Sequence, residues 1–411
     1  MADTGVSIAS TKEKRMAPLR PALSVRDIYG NGFIYNPKLF SEDYQHFSGD
    51  ILSLEALTGR ELTVVGDIPV ICHAAVATKS ALSLLEKAGL HIPSKLYTYR
   101  SENEYATLLS LLHERNHKLI FQYPHPRHIA PSDLSWIGSD VLSYLCDKRN
   151  IPHLVPTEHV PQREIMSFEE LMQKKPKLPF VLKTGDGRPT SGGCGVLLVK
   201  EEKQLQELND EFGDLSSLIV EEFIPDEQNV SVHYSVDKHG EIHFLGKSEQ
   251  MVNQDGCFRG SWITIEPEDY MAPIIETGYQ VMEKVAEQGY VGIAGFDVLI
   301  VGEKYYFIDL NIRFNASTCG LLLCEDIYRK YGKKTVRLTN LEWTGDFDDL
   351  IPVVEKYLSK EQFIPLSLLD ASYFPGEEPI SKVVGLTIGH SESEVEKVLK
   401  EMKKDRLFLR E

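Results

Sequence analysis

Two aspartates stand inside the oily stretch "GFDVLIVGEKYYFIDLNIRFNAS", residues 295–317, whose β-branched and aromatic residues read as two buried strands. Gly302-Glu303-Lys304 between them reads as a tight hairpin loop. With a three-residue loop, Val301 pairs with Tyr305 and Asp297 falls opposite Asp309. Asn311 turns to the same face, because strand side chains alternate with a period of two. Opposed side chains have Cβ atoms about 4.5–5.5 Å apart, and two like charges there repel. A hard divalent cation such as Mg²⁺, held by carboxylate, phosphate and water oxygens, meets the need for positive charge. Two alternatives stand beside this reading. One Asp ends a strand while the other meets a nearby Arg, or a two-residue loop shifts the register by one and sends the acids to opposite faces.

Three more stretches have chemical potential. In "VLKTGDGRPTSGGCGVLLV", Lys183 interrupts an apolar strand, where a lysine needs an anionic partner. Gly185, Gly187, Gly192 and Gly193, with Ser191, allow backbone N–H groups close to phosphate oxygens. The loop is neither a Walker A loop nor a dinucleotide fingerprint, since Lys183 precedes the glycines and a strand follows them. The plain alternative is a surface hairpin with an exposed lysine. "LIVEEFIPDEQNVSV" turns from apolar to acidic at Glu221 and Glu222, a pattern able to meet an adenine edge, with Glu227 or Asn229 reaching ribose hydroxyls. Arg313 in "NIRFNAS" and Arg259 in "GCFRGSW" are cations suited to developing negative charge, or else ordinary surface arginines.

The elements that must position these residues divide the chain in two. From "ELTVVGDIPVICH" to "KLIFQYPHP", short β-rich runs alternate with the helical patterns "ATKSALSLLEKAGL" and "SENEYATLLSLLHERN", an α/β texture that implies a parallel sheet. "IPHLVPTEHVP" follows the helix "SDVLSYLCDKRN" and reads as a domain boundary. Beyond about residue 176 hairpins dominate, and "NVSVHYSVDKHGEIHFLGKS" alternates around a His239-Gly240 turn as an antiparallel pair does. The last stretch, 346–411, reads as a small α/β appendage, and residues 1–25 as a mobile tail.

Composition narrows the function. The 411 residues carry 61 acidic and 44 basic side chains, a formal charge of −17, which disfavours nucleic acid and anionic membrane surfaces as partners. Phosphate handling must then come from a local basic island. Six scattered cysteines without metal-ligand spacing and the absence of a long apolar run fit a reduced, cytoplasmic protein.

A lysine with a glycine loop, an apolar-to-acidic hinge and an Asp…Asp-x-Asn-x-Arg hairpin follow one another between roughly residues 140 and 325, and in this order the chain resembles the ATP-grasp superfamily. The N-terminal half looks like the pre-ATP-grasp domain of amino-acid and peptide ligases. The resemblance implies a Rossmann-like domain at 26–150 and a two-subdomain ATP-grasp fold at 151–345, with a lid at about 151–222 and a catalytic part at about 223–345. It implies ATP contacts from Lys183, the lid residues, Glu221, Glu222, Phe223, Ile224, Glu227 and Asn229. Asp297, Asp309 and Asn311 would hold Mg²⁺, two ions with Mn²⁺ as a substitute, and Arg313, Arg259 and Ser317 would meet substrate. The implied reaction is activation of a carboxylate as an acyl phosphate, assisted by Lys183 and Arg313, and its capture by an amine on an amino acid or small peptide. A homodimer is compatible with the family. Another acceptor, giving a thiol ligase, carboxylase or small-molecule kinase, is the second reading, and a non-catalytic nucleotide-binding scaffold the third. The chain departs from the family in three places. Asp309 stands where many relatives have Glu, Asn229 aligns with the usual ribose-binding Glu, and a further ATP-contacting lysine has no counterpart near Ser139-Asp140.

Overall fold

The computed structural model describes residues 17–39, 51–187, 195–208, 212–213, 215–252, 258–266, 269–375 and 380–410. It is a mixed α/β structure built on three sheets. The first is parallel, with β1 (Phe33–Asn36), β2 (Val70–His73), β3 (Leu96–Tyr99) and β4 (Lys118–Phe121) in the order β3-β2-β1-β4. The expected helices connect them at Lys79–Lys87 and Glu102–Glu114. Each starts on a hydroxyl cap: Thr78 accepts from the Ala81 amide and Ser101 from the Glu104 amide. The order in which strands are added reverses at β1, whose neighbours are β2 on one side and β4 on the other. A crevice therefore opens beyond the C-terminal ends of β1 and β4, as such switch points require.

"ELTVVGDIPVICH" is only partly a strand. Gly66, at φ +71°, and Pro69 break it, so only Val70–His73 joins the sheet. The preceding residues fold into turns, with Leu62, Val64 and Val65 fully buried in the main core.

The second sheet holds β5 (Arg163–Met166), β6 (Phe180–Thr184), β7 (Val196–Val199) and β8 (Leu218–Glu222) in the order β5-β8-β6-β7, all antiparallel. The third comprises β9 (Gln228–Val236), β10 (Ile242–Val252), β11 (Phe258–Thr264), β12 (Gly292–Val301), β13 (Lys304–Asn311), β14 (Thr335–Thr344), β15 (Phe363–Leu369), β16 (Ile380–Gly389) and β17 (Leu407–Leu409). Its order is β13-β12-β9-β10-β11-β14-β16-β15, with β17 on β14.

Residues 346–411 are thus not an appendage. β16 zips onto β14 from Thr335↔Gly389 to Thr344↔Ile380, so these residues extend the large sheet. They also clasp the N-terminal region: Ser367 donates to the Ala56 carbonyl at 2.9 Å, and the Asp370 amide to Ala75 at 3.0 Å. One apolar core runs through both, from Val64 and Leu85 to Leu366 and Leu386.

Candidate active site

The acidic hairpin carries the pairing expected of it, by a different route. The loop is only two residues long, since Val301 pairs with Lys304. That register by itself would send the aspartates to opposite faces. A β-bulge intervenes: Val298 pairs with Phe307 and Asp297 with Asp309, leaving Ile308 as the extra residue. The two acids therefore share a face, and Asn311 joins them, its amide donating to Asp297 Oδ2 at 3.1 Å. The Ile308 carbonyl, released from the ladder, accepts from Lys183 Nζ at 2.7 Å. One irregularity thus aligns the acids and seats the lysine.

Burial first, and then the negative charge of Asp309, pushes the Asp297 carboxyl above the ordinary carboxylate range. Gln250 and Asn311 donate amide hydrogens to Asp297. Burial acts the same way on Asp309, but the cations of Lys148, Lys183 and Arg313 outweigh it and hold that carboxyl low. Lys148 Nζ lies 2.6 Å from Asp309 Oδ2. The sequence offers no further lysine near Ser139-Asp140, where the resemblance expects one; Lys148 is the lysine that the structure brings to the acids. It lies instead beyond the helix Ser139–Cys146, in "DKRNIP", three residues before Ile151-Pro152, and that short signal could have located it.

Lys183, 4% exposed, forms a second node. Its ammonium and the guanidinium of Arg163 both pair with Glu221, and Arg163 also donates to the Lys148 carbonyl at 2.9 Å. Burial lowers the Lys183 pKa against the opposing pull of Glu221. Glu221 therefore works through Lys183; its backbone lies inside the sheet, between Arg163 and Val181. The outward part of the expected hinge begins with Glu222 and Phe223 and ends at the buried Ile224. The Glu222 amide is already bonded to the Gln162 carbonyl at 2.9 Å.

The hairpin acids and Lys148 face an open cleft with an empty volume of about 880 Å³, whereas Lys183, Arg163 and Glu221 are not among the described residues that line it. Asp297, Asp309, Asn311, Arg313, Ser317 and Lys148 line it, as do Pro37, Leu39, Gln122 and Tyr123 from the ends of β1 and β4. Arg313 lies over the Tyr123 ring, 4.6 Å from its centroid, so the two halves of the chain meet at this guanidinium. Ser317 is engaged by Ser248 at 3.0 Å and by His233 Nε2 at 3.2 Å.

Four expected contacts fall elsewhere. Arg259 is not among the described residues lining the cleft, although its neighbour Phe258 is. The Gly185 amide donates to the Ser217 carbonyl at 3.0 Å, which removes it as a phosphate donor. Glu227 accepts from the Gly302 amide at 3.2 Å and so caps the hairpin turn. Asn229 sits in β9 opposite Leu299, with a buried, unpartnered Oδ1 among the described residues. Gly187 keeps the left-handed φ of +80° expected of a loop glycine, beside Arg149 and Asp147. Ser191, Gly192 and Gly193 lie outside the described residues.

Comparison with known proteins bears on family and fold. Residues 161–311 match the family described as L-aspartate--L-methionine ligase, ATP grasp, and residues 24–143 match the L-aspartate--L-methionine ligase N-terminal domain. Among solved structures, the chain is similar to N5-carboxyaminoimidazole synthetase from Staphylococcus aureus complexed with ADP, with TM-score 0.56 and 11% identity over 94% of this chain and 98% of that one. It is similar to L-amino acid ligase from Bacillus licheniformis, with TM-score 0.54 and 12% identity over 92% and 98%. Biotin carboxylase from Campylobacter jejuni matches with TM-score 0.55 and 14% identity over 92% of both chains. At such identities the structural likeness speaks for the fold, and the two family matches speak for the lineage. The chain belongs to the ATP-grasp superfamily, as an ATP-dependent carboxylate–amine ligase of the amino-acid ligase type with a separate N-terminal domain.

Proposed function

We propose that this ligase joins L-aspartate to L-methionine, the pair named for the matching family, using Mg²⁺ and releasing ADP and phosphate. The observation that carries the reading is the bulged hairpin. It sets Asp297, Asp309 and Asn311 on one face of the cleft, with Lys183 on the bulge carbonyl and Lys148 on Asp309. The donor set fits a hard cation, since two facing carboxylates and an amide oxygen are all oxygen ligands. Bound there, Mg²⁺ would supply charge neutralisation for the phosphates.

The protein's own groups do the rest by position and charge. Lys183 and Lys148 place two ammonium groups where the transferring phosphoryl group carries its charge. A carboxylate oxygen of the substrate attacks the γ-phosphorus as the bond to the β-phosphate oxygen breaks and ADP departs. The neutral amine then attacks the acyl carbon, phosphate leaves with the electron pair of the carbon–oxygen bond, and the proton lost from nitrogen goes to the departing phosphate. Arg313, held over Tyr123, steadies the acyl phosphate and then the carbonyl oxygen that becomes negative when the amine adds. Phe223 and Ile224 supply the outward hinge for the base, and Gly187 opens the loop over the phosphates. Leu39, Leu57, Phe258 and Phe314 give the cleft an apolar flank suited to a thioether side chain.

The test is ADP release with mass detection of product. We expect ADP only when Mg²⁺, aspartate and methionine are present together, with the dipeptide as product. ADP release that needs the acid but no amine would instead establish a kinase.

A further inference from the structure

One strong cation at the cleft comes from the N-terminal region. Arg60 follows the helix Ile51–Leu57 in the turn that replaces the expected strand, and its side chain is only 8% exposed. Its Nε and Nη2 both hold Glu61 Oε1, at 2.6 and 2.5 Å, and Glu61 is itself 1% exposed. The backbone beneath is fixed. A Cβ on Gly59 would come within 2.4 Å of Ser367 Oγ, and the Arg60 carbonyl accepts from the Cys319 thiol at 3.6 Å. The guanidinium is thus oriented before any ligand arrives. Its remaining edge, Nη1 and the second hydrogen of Nη2, has no hydrogen-bond partner among the described residues, and Arg60 lines the cleft.

We propose that Arg60 is the anchor for a substrate carboxylate that does not react. The unspent edge is a planar pair of N–H donors, and carboxylate is the ligand whose two oxygens match that fork. The need follows from the chemistry of peptide ligation, and the inference rests on the ligase reading above. A dicarboxylic acid component must present one carboxylate to the phosphoryl group and keep the other away. The amine component must also bring in a carboxylate that stays untouched. Arg313 and the metal-facing acids occupy the wall where reaction occurs; Arg60 stands on the wall built by the N-terminal region. The held carboxylate belongs either to aspartate or to methionine, and the test separates them.

The experiment compares ADP release from aspartate with that from each of its two monoamides, and from methionine with that from methioninamide. Wild type, Arg60→Lys and the paired variant Arg60→Met/Glu61→Leu are assayed, the last removing both buried charges together. The aspartate monoamide that gives no product marks the reacting carboxylate and is set aside; of the two carboxylates that do not react, the wild type should prefer one over its amide by about tenfold or more in kcat/KM. In both variants that preference should shrink to about twofold through KM, with kcat little changed and the other component's preference intact. Wild type that forms the dipeptide but shows no carboxylate preference overturns the anchor, whatever the variants do. So does an unchanged preference in variants that melt like wild type. Failure of wild type to form the dipeptide overturns the substrate reading and the anchor with it.

Discussion

Two lysines in this molecule face pairs of carboxylates, and their surroundings differ. In the N-terminal region Lys38, 2% exposed, sits 2.5 Å from Glu55 and 2.9 Å from Glu102. The rings of Tyr99 and Tyr105 lie 5.1 and 5.3 Å from its ammonium, and Tyr99 also donates to Glu55. One cation serves both acids there, and none of the members lines the cleft. At the hairpin Lys148 pairs with Asp309, while Asp297 meets the amides of Gln250 and Asn311 and the hydroxyl of Ser231. That pair opens onto the cleft. In the first arrangement the lysine touches both acids and the set lies away from the cleft, which suits a structural role. In the second the lysine touches one acid and the other carboxylate faces the cleft, where a cation arriving with a ligand can meet it.

The sharpest way to break this contrast is to remove one member from each cluster. Asp309→Asn should lower turnover at least about a thousandfold while leaving the melting temperature near wild type, as steady-state assay and calorimetry would read. Lys38→Met should do the reverse. It strands two carboxylates, costing about 3–5 kcal/mol of stability, with the folded fraction keeping near-normal turnover. If both variants lose activity at full stability, the distinction fails.

Acid should weaken both regions together. His125, bonded to Tyr105 at 2.8 Å, belongs to the Lys38 cluster, and His233 stands behind Ser317 in the cleft wall. Burial pulls their pKa values down to about 4 and about 3. Both are neutral when folded and charge readily when unfolded, so their contribution is complete above the unfolded value of about 6.5 and is lost as pH falls toward the folded values. Between pH 7.5 and 5.5 these two histidines should contribute a loss of about 2–3 kcal/mol, opposed by the raised Asp297 carboxyl, and His233→Asn should remove roughly half of the histidine share from the pH dependence of the denaturation midpoint. The smallest effect belongs to Tyr123→Leu. Loss of the ring under Arg313 should cost about 1 kcal/mol of transition-state stabilisation, a fall of roughly fivefold in kcat at unchanged stability.

Legibility in the sequence followed contact range. The capped helices at Lys79–Lys87 and Glu102–Glu114, and the face shared by Asp297, Asp309 and Asn311, rest on local periodicity and were readable. The facing acids were nevertheless deduced through a three-residue loop that does not exist, because a bulge leaves no mark in the pattern of apolar residues. β1 is four residues long, too short for an alternation to announce itself. Contacts set by distant partners were hidden. Gly185 is tied by Ser217, Glu227 by an amide 75 residues away, and Ser317 by a histidine 84 residues away. Arg60 stands just before a run whose β-rich composition suggested a strand, and tertiary packing brings it to the cleft.

The most direct test of the hairpin's role is calorimetric titration of ATP into wild type and into Asp297→Asn/Asp309→Asn, each with and without Mg²⁺. Wild type should bind ATP much more tightly with Mg²⁺ than without. The folded double variant should bind it with equal affinity in both conditions. A double variant that retains the full Mg²⁺ dependence would contradict the assignment of these acids as the metal-bearing pair.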